Sequence, residues 1–172
     1  MHKFGLKRKI KSLQTDIESF VPMFHNWIQE DKIPNHIMVD VADYKHIPNG
    51  PGIMLIAFEG NFSIGYDENG LGLSYIRKTK IGSNETESLE NIQEILNNAV
   101  KLIENDSMLR KKIKFSNEYS VFSNDRYEYP NNVNSENKLH QLVSSVFADS
   151  ILSSNNSYND SRLTIHIKKE IQ

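Results

Sequence analysis

The chain of 172 residues contains no cysteine, and this absence excludes whole classes of protein. Disulfide scaffolds, zinc ribbons, iron–sulfur proteins and enzymes with a thiol nucleophile all depend on that residue. Long apolar stretches are also missing, because the longest run, Ile53 to Phe58, is far shorter than the ~20 residues that span a bilayer. The N-terminal residues carry charges but not the apolar segment of a secretory signal. We therefore expect a soluble, cytoplasmic protein.

Neither sign of charge is in large excess. Twenty Lys and Arg residues stand against twenty-two Asp and Glu residues, which gives a net charge of -2 at pH 7. Such a balance provides no global field that would draw the protein to nucleic acid or to an anionic membrane. The composition therefore argues against nucleic acid as a partner.

The first 31 residues show the spacing of an amphipathic helix. At 100° per residue, five apolar side chains fall along one line. They are Leu6, Ile10, Leu13, Ile17 and Phe24. Because proline lacks a backbone donor and clashes with the preceding turn, the pattern predicts a helix over residues 1–31 with a kink or a break at Pro22.

Basic residues cluster on the same predicted helix, at Lys3, Lys7, Arg8, Lys9 and Lys11. In the simplest interpretation this face is solvated and the apolar stripe packs on the protein's own sheet. Alternatively, the stripe pairs with a second copy of the chain, which would make the protein a homo-oligomer. Contact with a membrane surface or nucleic acid is a third alternative.

Apolar residues alternate along five further segments, near residues 37–41, 62–66, 71–75, 113–122 and 163–167, and they form a short continuous run at 53–58. The alternation is typical of strands, and the continuous run is typical of a strand that is covered on both faces. Helical spacing predicts two more helices. The first begins where Asn84 and Glu87 stand at capping positions and ends near Asn105, and the second begins near Ser135.

These elements follow the order α-β-β-β-β-α-β-α-β. Such an order predicts one α+β domain over residues 1–172, with a mainly antiparallel sheet of about six strands and three helices packed on one face. A polar loop over residues 153–160 is expected before the last strand.

The segment Val39–Gly52, with the sequence VDVADYKHIPNGPG, resembles the signature of a conserved bacterial, largely cyanobacterial, protein family. Further residues that match this family are Glu59, Gly60, Leu73–Tyr75, Arg77 and Asn124–Arg126. No function is established for the family. The resemblance therefore implies a bacterial, cytoplasmic protein and draws attention to the loop between the first two predicted strands, but it assigns no catalytic residue, cofactor or metal.

The densest cluster of polar side chains lies in and beside this segment, at His36, Asp40, Asp43 and His46, with Glu59 on the neighbouring strand. Imidazole and carboxylate groups are suited to divalent metals and to acid/base catalysis. However, His36 and Asp40 would lie about 13 Å apart along one strand, which is too far for direct coordination of one ion.

A structural interpretation of the same residues is the simpler alternative. Asp40 would then pair with Arg77 or Arg126, Asp43 would cap the turn, and His46 would be exposed. The candidate binding surface predicted from the sequence consists of Asp40, Asp43, Tyr44, His46, Asn49, Glu59, Arg77 and Arg126.

Motifs of known enzyme classes are missing, since the chain has no serine elbow, no Walker loop and no GxGxxG. We therefore predict a non-enzymatic binding or interaction module that acts on a protein partner or a small molecule. The alternative is a metal-dependent or acid/base enzyme that uses Asp40, Asp43, His46 and Glu59.

Overall fold

The computed structural model describes residues 4–154 and 162–170. Within these ranges the chain forms eight strands, namely β1 (Phe4–Leu13), β2 (Met38–Tyr44), β3 (Gly52–Ala57), β4 (Gly60–Asp67), β5 (Gly70–Arg77), β6 (Ile113–Ser123), β7 (Ser150–Ser153) and β8 (Thr164–Lys169). The α-helices are α1 (Phe20–Gln29), α2 (Glu85–Asn105) and α3 (Val133–Val146), and a turn of 3-10 helix at Ile17–Ser19 precedes α1.

All eight strands belong to one antiparallel sheet with the order β2-β3-β4-β5-β1-β6-β8-β7. One hydrophobic core covers one face of this sheet, and it includes buried residues from each of the three helices. Along a strand successive side chains point to opposite faces, so every second residue of the sheet enters this core. The α+β class predicted from the sequence is therefore confirmed. The other face, which we call the open face, carries no helix of the described residues.

The sequence prediction is wrong mainly in the N-terminal segment. Residues 4–13 form the strand β1, which lies in the middle of the sheet between β5 and β6. Leu6 and Ile10 are four residues apart, which fits one turn of a helix and also two repeats of a strand. Lys7, Lys9 and Lys11 alternate with them, and this period of two agrees with the strand. Pairing with two neighbouring strands decided between the two patterns.

Pro22 does not kink a long helix, because α1 begins only at Phe20. Pro22 is the third residue of α1, where the backbone N–H has no partner within the helix, so its missing donor is tolerated. The apolar stripe also has a different role from the one predicted, since Leu6 is fully buried and Ile10 is 5% exposed. These residues belong to the core, and no N-terminal helix presents them to a second copy of the chain.

Two further strands distinguish the structure from the predicted order of elements. One is β1, and the other is the short edge strand β7, which pairs with β8. The predicted polar loop at 153–160 lies mostly outside the described residues. No helix in the described part of the chain is long and apolar enough to cross a membrane.

Candidate functional site

The two aspartates of the predicted cluster lie on the edge strand β2, on opposite faces of the sheet. Asp40 is opposite Ile56 of β3, whereas Asp43 is opposite the core residue Ile53. The Asp40 carboxylate accepts a hydrogen bond of 2.8 Å from the amide of Val41. Among the described residues it forms no ion pair, so the predicted pairing of Asp40 with Arg77 or Arg126 is wrong.

Asp43 organises the turn that follows β2. Its carboxylate accepts a hydrogen bond of 3.0 Å from the amide of Lys45, and a second carboxylate oxygen lies 3.2 Å from the Lys45 Nζ. Lys45 also pairs with Glu18. The hydrogen bond from the turn amide lowers the pKa of Asp43. The contacts of Asp43 are therefore those of a turn-capping residue.

The remaining residues of the predicted surface are spread over several places. Tyr44 is half-buried at the end of β2, and His46 is exposed in the next turn. Asn49 is exposed, has a positive φ of 54° and lines a groove on the open face. Arg126 is exposed in the turn after β6. Across residues 4–154 and 162–170, no group of three or more histidine and acidic side chains is arranged to hold a metal ion.

Arg77 belongs to a buried chain of hydrogen bonds at the end of β5. Its Nη1 donates to the Tyr75 hydroxyl at 3.2 Å, and that hydroxyl lies 2.7 Å from Nε2 of His36. Nδ1 of His36 lies 2.9 Å from the carbonyl oxygen of Pro34. Because a carbonyl only accepts, Nδ1 carries the proton and Nε2 accepts from Tyr75. The chain of donors therefore runs in one direction, from Arg77 through Tyr75 and His36 to Pro34.

The surroundings of this series of hydrogen bonds keep the side chains of His36 and Tyr75 neutral. Burial lowers the pKa of His36, and the Arg77 charge acts in the same direction. Burial also raises the pKa of the Tyr75 hydroxyl. Desolvation alone would raise the pKa of Glu59, but a hydrogen bond of 2.7 Å from the amide of Ile37 holds it below its usual value. Glu59 is therefore the ionised acid of this cluster.

A cavity of about 290 Å³ opens beside Arg77 and His36, between the segment 32–36 and helix α2. The helix contributes Asn91, Glu94 and Asn98, which lie at i, i+3 and i+7 and hence on one helical face. We call this space the Arg77 cavity. Its walls combine side-chain amides with one acid and with the end of a guanidinium group.

The guanidinium of Arg77 is buried without a carboxylate partner. The residue is 8% exposed, and no acidic oxygen of the described residues lies within 4 Å of it. Its Nε donates to the Thr79 carbonyl at 3.1 Å, and Nη1 donates to Tyr75. A guanidinium has five N–H groups, so three are left without an acceptor among the described residues. These three N–H groups are the donors that Arg77 can offer to a ligand in the cavity.

Two histidines, the buried His36 and the half-buried His166, predict that stability depends on pH above the pH range in which carboxylates titrate. Burial lowers the pKa values of both His36 and His166 from the usual 6.5. Between the lowered and the usual pKa the unfolded chain binds more protons, so stability rises with pH in that window. We expect the free energy of unfolding in urea to fall from pH 7.5 to pH 5.5.

NMR titration of each imidazole checks the cause of this effect. Both rings should titrate below 6.5, and His36→Gln and His166→Gln should each reduce the slope of stability against pH. A His36 ring that titrates at or above 6.5 would contradict the neutral state inferred from its contacts.

Sequence reasoning included Glu59 and Arg77 among the candidate residues and noted His36, but it did not identify the helix side of the cavity. The spacing of Asn91, Glu94 and Asn98 was the available signal, since amides and an acid share one face of an amphipathic helix there. Such faces are usually solvated, so only the packing of α2 against the segment 32–36 reveals the cavity. No protein-family model matches the chain, and no curated protein shows significant similarity to it.

Proposed function

We propose that the protein is a non-enzymatic binding module that holds the carboxylate of a small molecule in the Arg77 cavity. The observation that carries this proposal is the buried guanidinium, which has hydrogen-bond donors to spare and no acidic partner among the described residues. The Glu59 carboxylate interacts with Arg77 only from beyond 4 Å, and a direct opposite charge is the usual partner of a buried guanidinium. A bound anion would supply that direct partner.

The chemistry of the cavity favours a small ligand with a carboxylate group. A guanidinium presents planar pairs of N–H groups, which match the two oxygens of a carboxylate. Asn91 and Asn98 offer amide donors and acceptors on the helix side of the cavity, and Asn98, Glu94 and Lys32 lie at exposed positions of the lining. Apolar surface comes from Ile33, Ile81, Ile95 and Leu102. A volume of about 290 Å³ suits a metabolite-sized molecule rather than a peptide.

The alternative of a metal-dependent or acid/base enzyme has less support. It requires Asp40, Asp43, His46 and Glu59 to face one substrate, whereas the two aspartates lie on opposite faces of the sheet and Glu59 binds the Ile37 amide. The resemblance of Val39–Gly52 to a bacterial family supports placing the module in the cytoplasm of a bacterium. In the proposed function, Asp43 and its contacts shape the turn and do not bind the ligand.

Thermal unfolding in the presence of small carboxylates tests this proposal. With a panel that includes acetate, succinate and several amino acids, we expect at least one compound to raise the melting temperature of the wild-type protein. A ligand at 100 times its Kd would raise it by roughly 5–10 °C. Calorimetric titration then gives the Kd of that compound.

Variants of Arg77 connect the effect to the cavity. Arg77→Met should abolish the rise, and Arg77→Lys should retain only part of it because lysine cannot bind a carboxylate through two parallel N–H groups. Arg110→Met changes an exposed arginine elsewhere and should behave as the wild-type protein does. Equal Kd values for the wild-type protein and Arg77→Met, or a panel without any effect, would refute the proposal.

A further inference from the structure

A row of polar side chains crosses the open face of the sheet. The register of five adjacent strands places Ser63 opposite Ser74, Ser74 opposite Lys7, Lys7 opposite Ser120, and Ser120 opposite His166. Directly opposed residues on neighbouring strands have Cβ atoms about 5 Å apart, so the five side chains form one continuous line. These strands are β4, β5, β1, β6 and β8, and of these neighbours only β4 and β5 are consecutive in sequence.

Lys7 lies at the centre of this row, and its side chain is flat against the sheet. A Cβ atom at Gly72 would come within 2.3 Å of the Lys7 Cε, so glycine at that position makes room for the lysine. Lys7 is 5% exposed, and its Nζ contacts Asp67 at 2.6 Å and the Gly70 carbonyl at 2.6 Å. An ammonium group has three N–H donors, and two contacts leave one for a ligand.

The serines beside Lys7 provide an independent sign of a ligand. Ser63 is 7% exposed, and its hydroxyl forms no hydrogen bond with any residue that the structure describes. Ser74 is half-buried and likewise has no partner there. Both line the same cavity as Lys7. Both hydroxyls are therefore free to donate to a ligand that enters this cavity.

The cavity above the row has a volume of about 260 Å³ and adjoins a second one of about 480 Å³. Both are lined by Lys7, Asn69 and Ser120. The charged residues that line the first cavity are Lys7, Arg162 and Asp67, which sum to one positive charge in a protein whose net charge is -2. Its wall also includes Asn49, a residue of the predicted binding surface.

We propose that the cavity above this row, which we call the groove, is a second ligand site and takes a tetrahedral oxyanion such as a phosphate group. Lys7 would supply a compact positive charge, and Ser63 and Ser74 would donate their hydroxyl protons to separate oxygens of the anion. A point charge flanked by single donors suits a tetrahedral anion. The site lies on the opposite face of the sheet from the Arg77 cavity and does not depend on the proposed function.

Calorimetric titration with inorganic phosphate and with a simple phosphate monoester tests this site. The double variant Ser63→Ala, Ser74→Ala is the most informative, because hydroxyls without protein partners can be removed with little effect on folding. Hydrogen bonds to charged groups are strong enough that losing two should weaken phosphate binding by roughly tenfold or more. The melting temperature without ligand should stay unchanged. Tighter binding of the monoester than of phosphate would identify a phosphorylated molecule as the ligand.

Two control variants make the outcome specific. Ser107→Ala removes a hydroxyl from an exposed serine outside the groove, and Arg110→Met removes an exposed positive charge outside it. Both should bind phosphate as the wild-type protein does. Absence of saturable phosphate binding up to about 10 mM, a concentration that would reveal even weak sites, refutes the proposal. Equal affinity in the double variant and the wild-type protein refutes it as well.

Discussion

Replacing Gly52 by alanine is expected to destabilise the protein by about 3–4 kcal/mol. Gly52 is the first residue of β3 and has a φ of +69°, which side chains rarely adopt. A Cβ atom there would lie 2.1 Å from the carbonyl oxygen of Ile64 in β4. Because that oxygen belongs to the backbone of a neighbouring strand, it cannot move without disturbing the sheet. Urea unfolding of the variant measures the loss.

Gly70→Ala is the matched control for this prediction. Gly70 has a φ of +94°, but a Cβ atom there would meet only the Lys9 Cε at 3.9 Å. This variant should therefore show the backbone strain alone, about 1–2 kcal/mol. Equal losses in the two variants would mean that the contact between Gly52 and β4 does not determine the path of the loop 47–52.

The part of the fold that could be predicted from sequence is the part in which local signals agree. Helix α2 is an example, since Asn84 accepts a hydrogen bond from the Glu87 amide and the helix ends at Asn105, as predicted. Strands β2 to β5 were also found, because alternating residues or, in β3, a short apolar run are separated by turns with glycine or proline. In α2, β2, β4 and β5 the spacing of apolar residues matched only one type of element.

The N-terminal segment could not be assigned in the same way. Two of its apolar residues, Leu6 and Ile10, fit both a strand and a helix, and the choice depended on β5 and β6, which lie more than sixty residues away in sequence. The capping residue of α3 shows a smaller error. The helix was expected to begin near Ser135, but Asn132 is the N-cap and accepts from the Ser135 amide.

The candidate sites show the same limit more strongly. Sequence proximity grouped Asp40, Asp43 and His46, whereas the strand parity separates the two aspartates. The row formed by Ser63, Lys7 and their neighbours depends on the register of strands that are remote in sequence. Serine at those positions has no distinctive local pattern, so only the pairing of the strands brings the polar groups together.

Both proposed sites depend on the central strands of the sheet, yet they use opposite faces of it. Tyr75 and Arg77 of β5 point to the helix side, while Ser74 and Ile76, which alternate with them, line the cavity on the open face. Alternate residues of one strand thus contribute to two different sites. A change in β5 can therefore affect one site without touching the groups of the other, provided that the backbone of the strand is preserved.

Tyr75→Phe should make this separation measurable. The substitution keeps the ring, which packs on Phe62 at a centroid distance of 4.5 Å, and removes only the hydroxyl. It leaves Nε2 of His36 without its donor and Nη1 of Arg77 without its acceptor, both in a buried region. Stranding two buried polar groups should cost about 2–4 kcal/mol in the free energy of unfolding, which urea unfolding measures.

Tyr119→Phe is the matched control for this effect. Tyr119 is 6% exposed, and its hydroxyl forms no hydrogen bond with a described residue, so its removal should change stability by less than about 0.5 kcal/mol. In Tyr75→Phe, carboxylate binding should also weaken, because Arg77 loses one of its two protein contacts, while phosphate binding on the open face should not change. If the two variants lose the same small amount of stability, the chain from Arg77 to Pro34 does not stabilise the fold. If Tyr75→Phe loses stability but binds carboxylate as before, the chain supports the segment 32–36 rather than the orientation of Arg77.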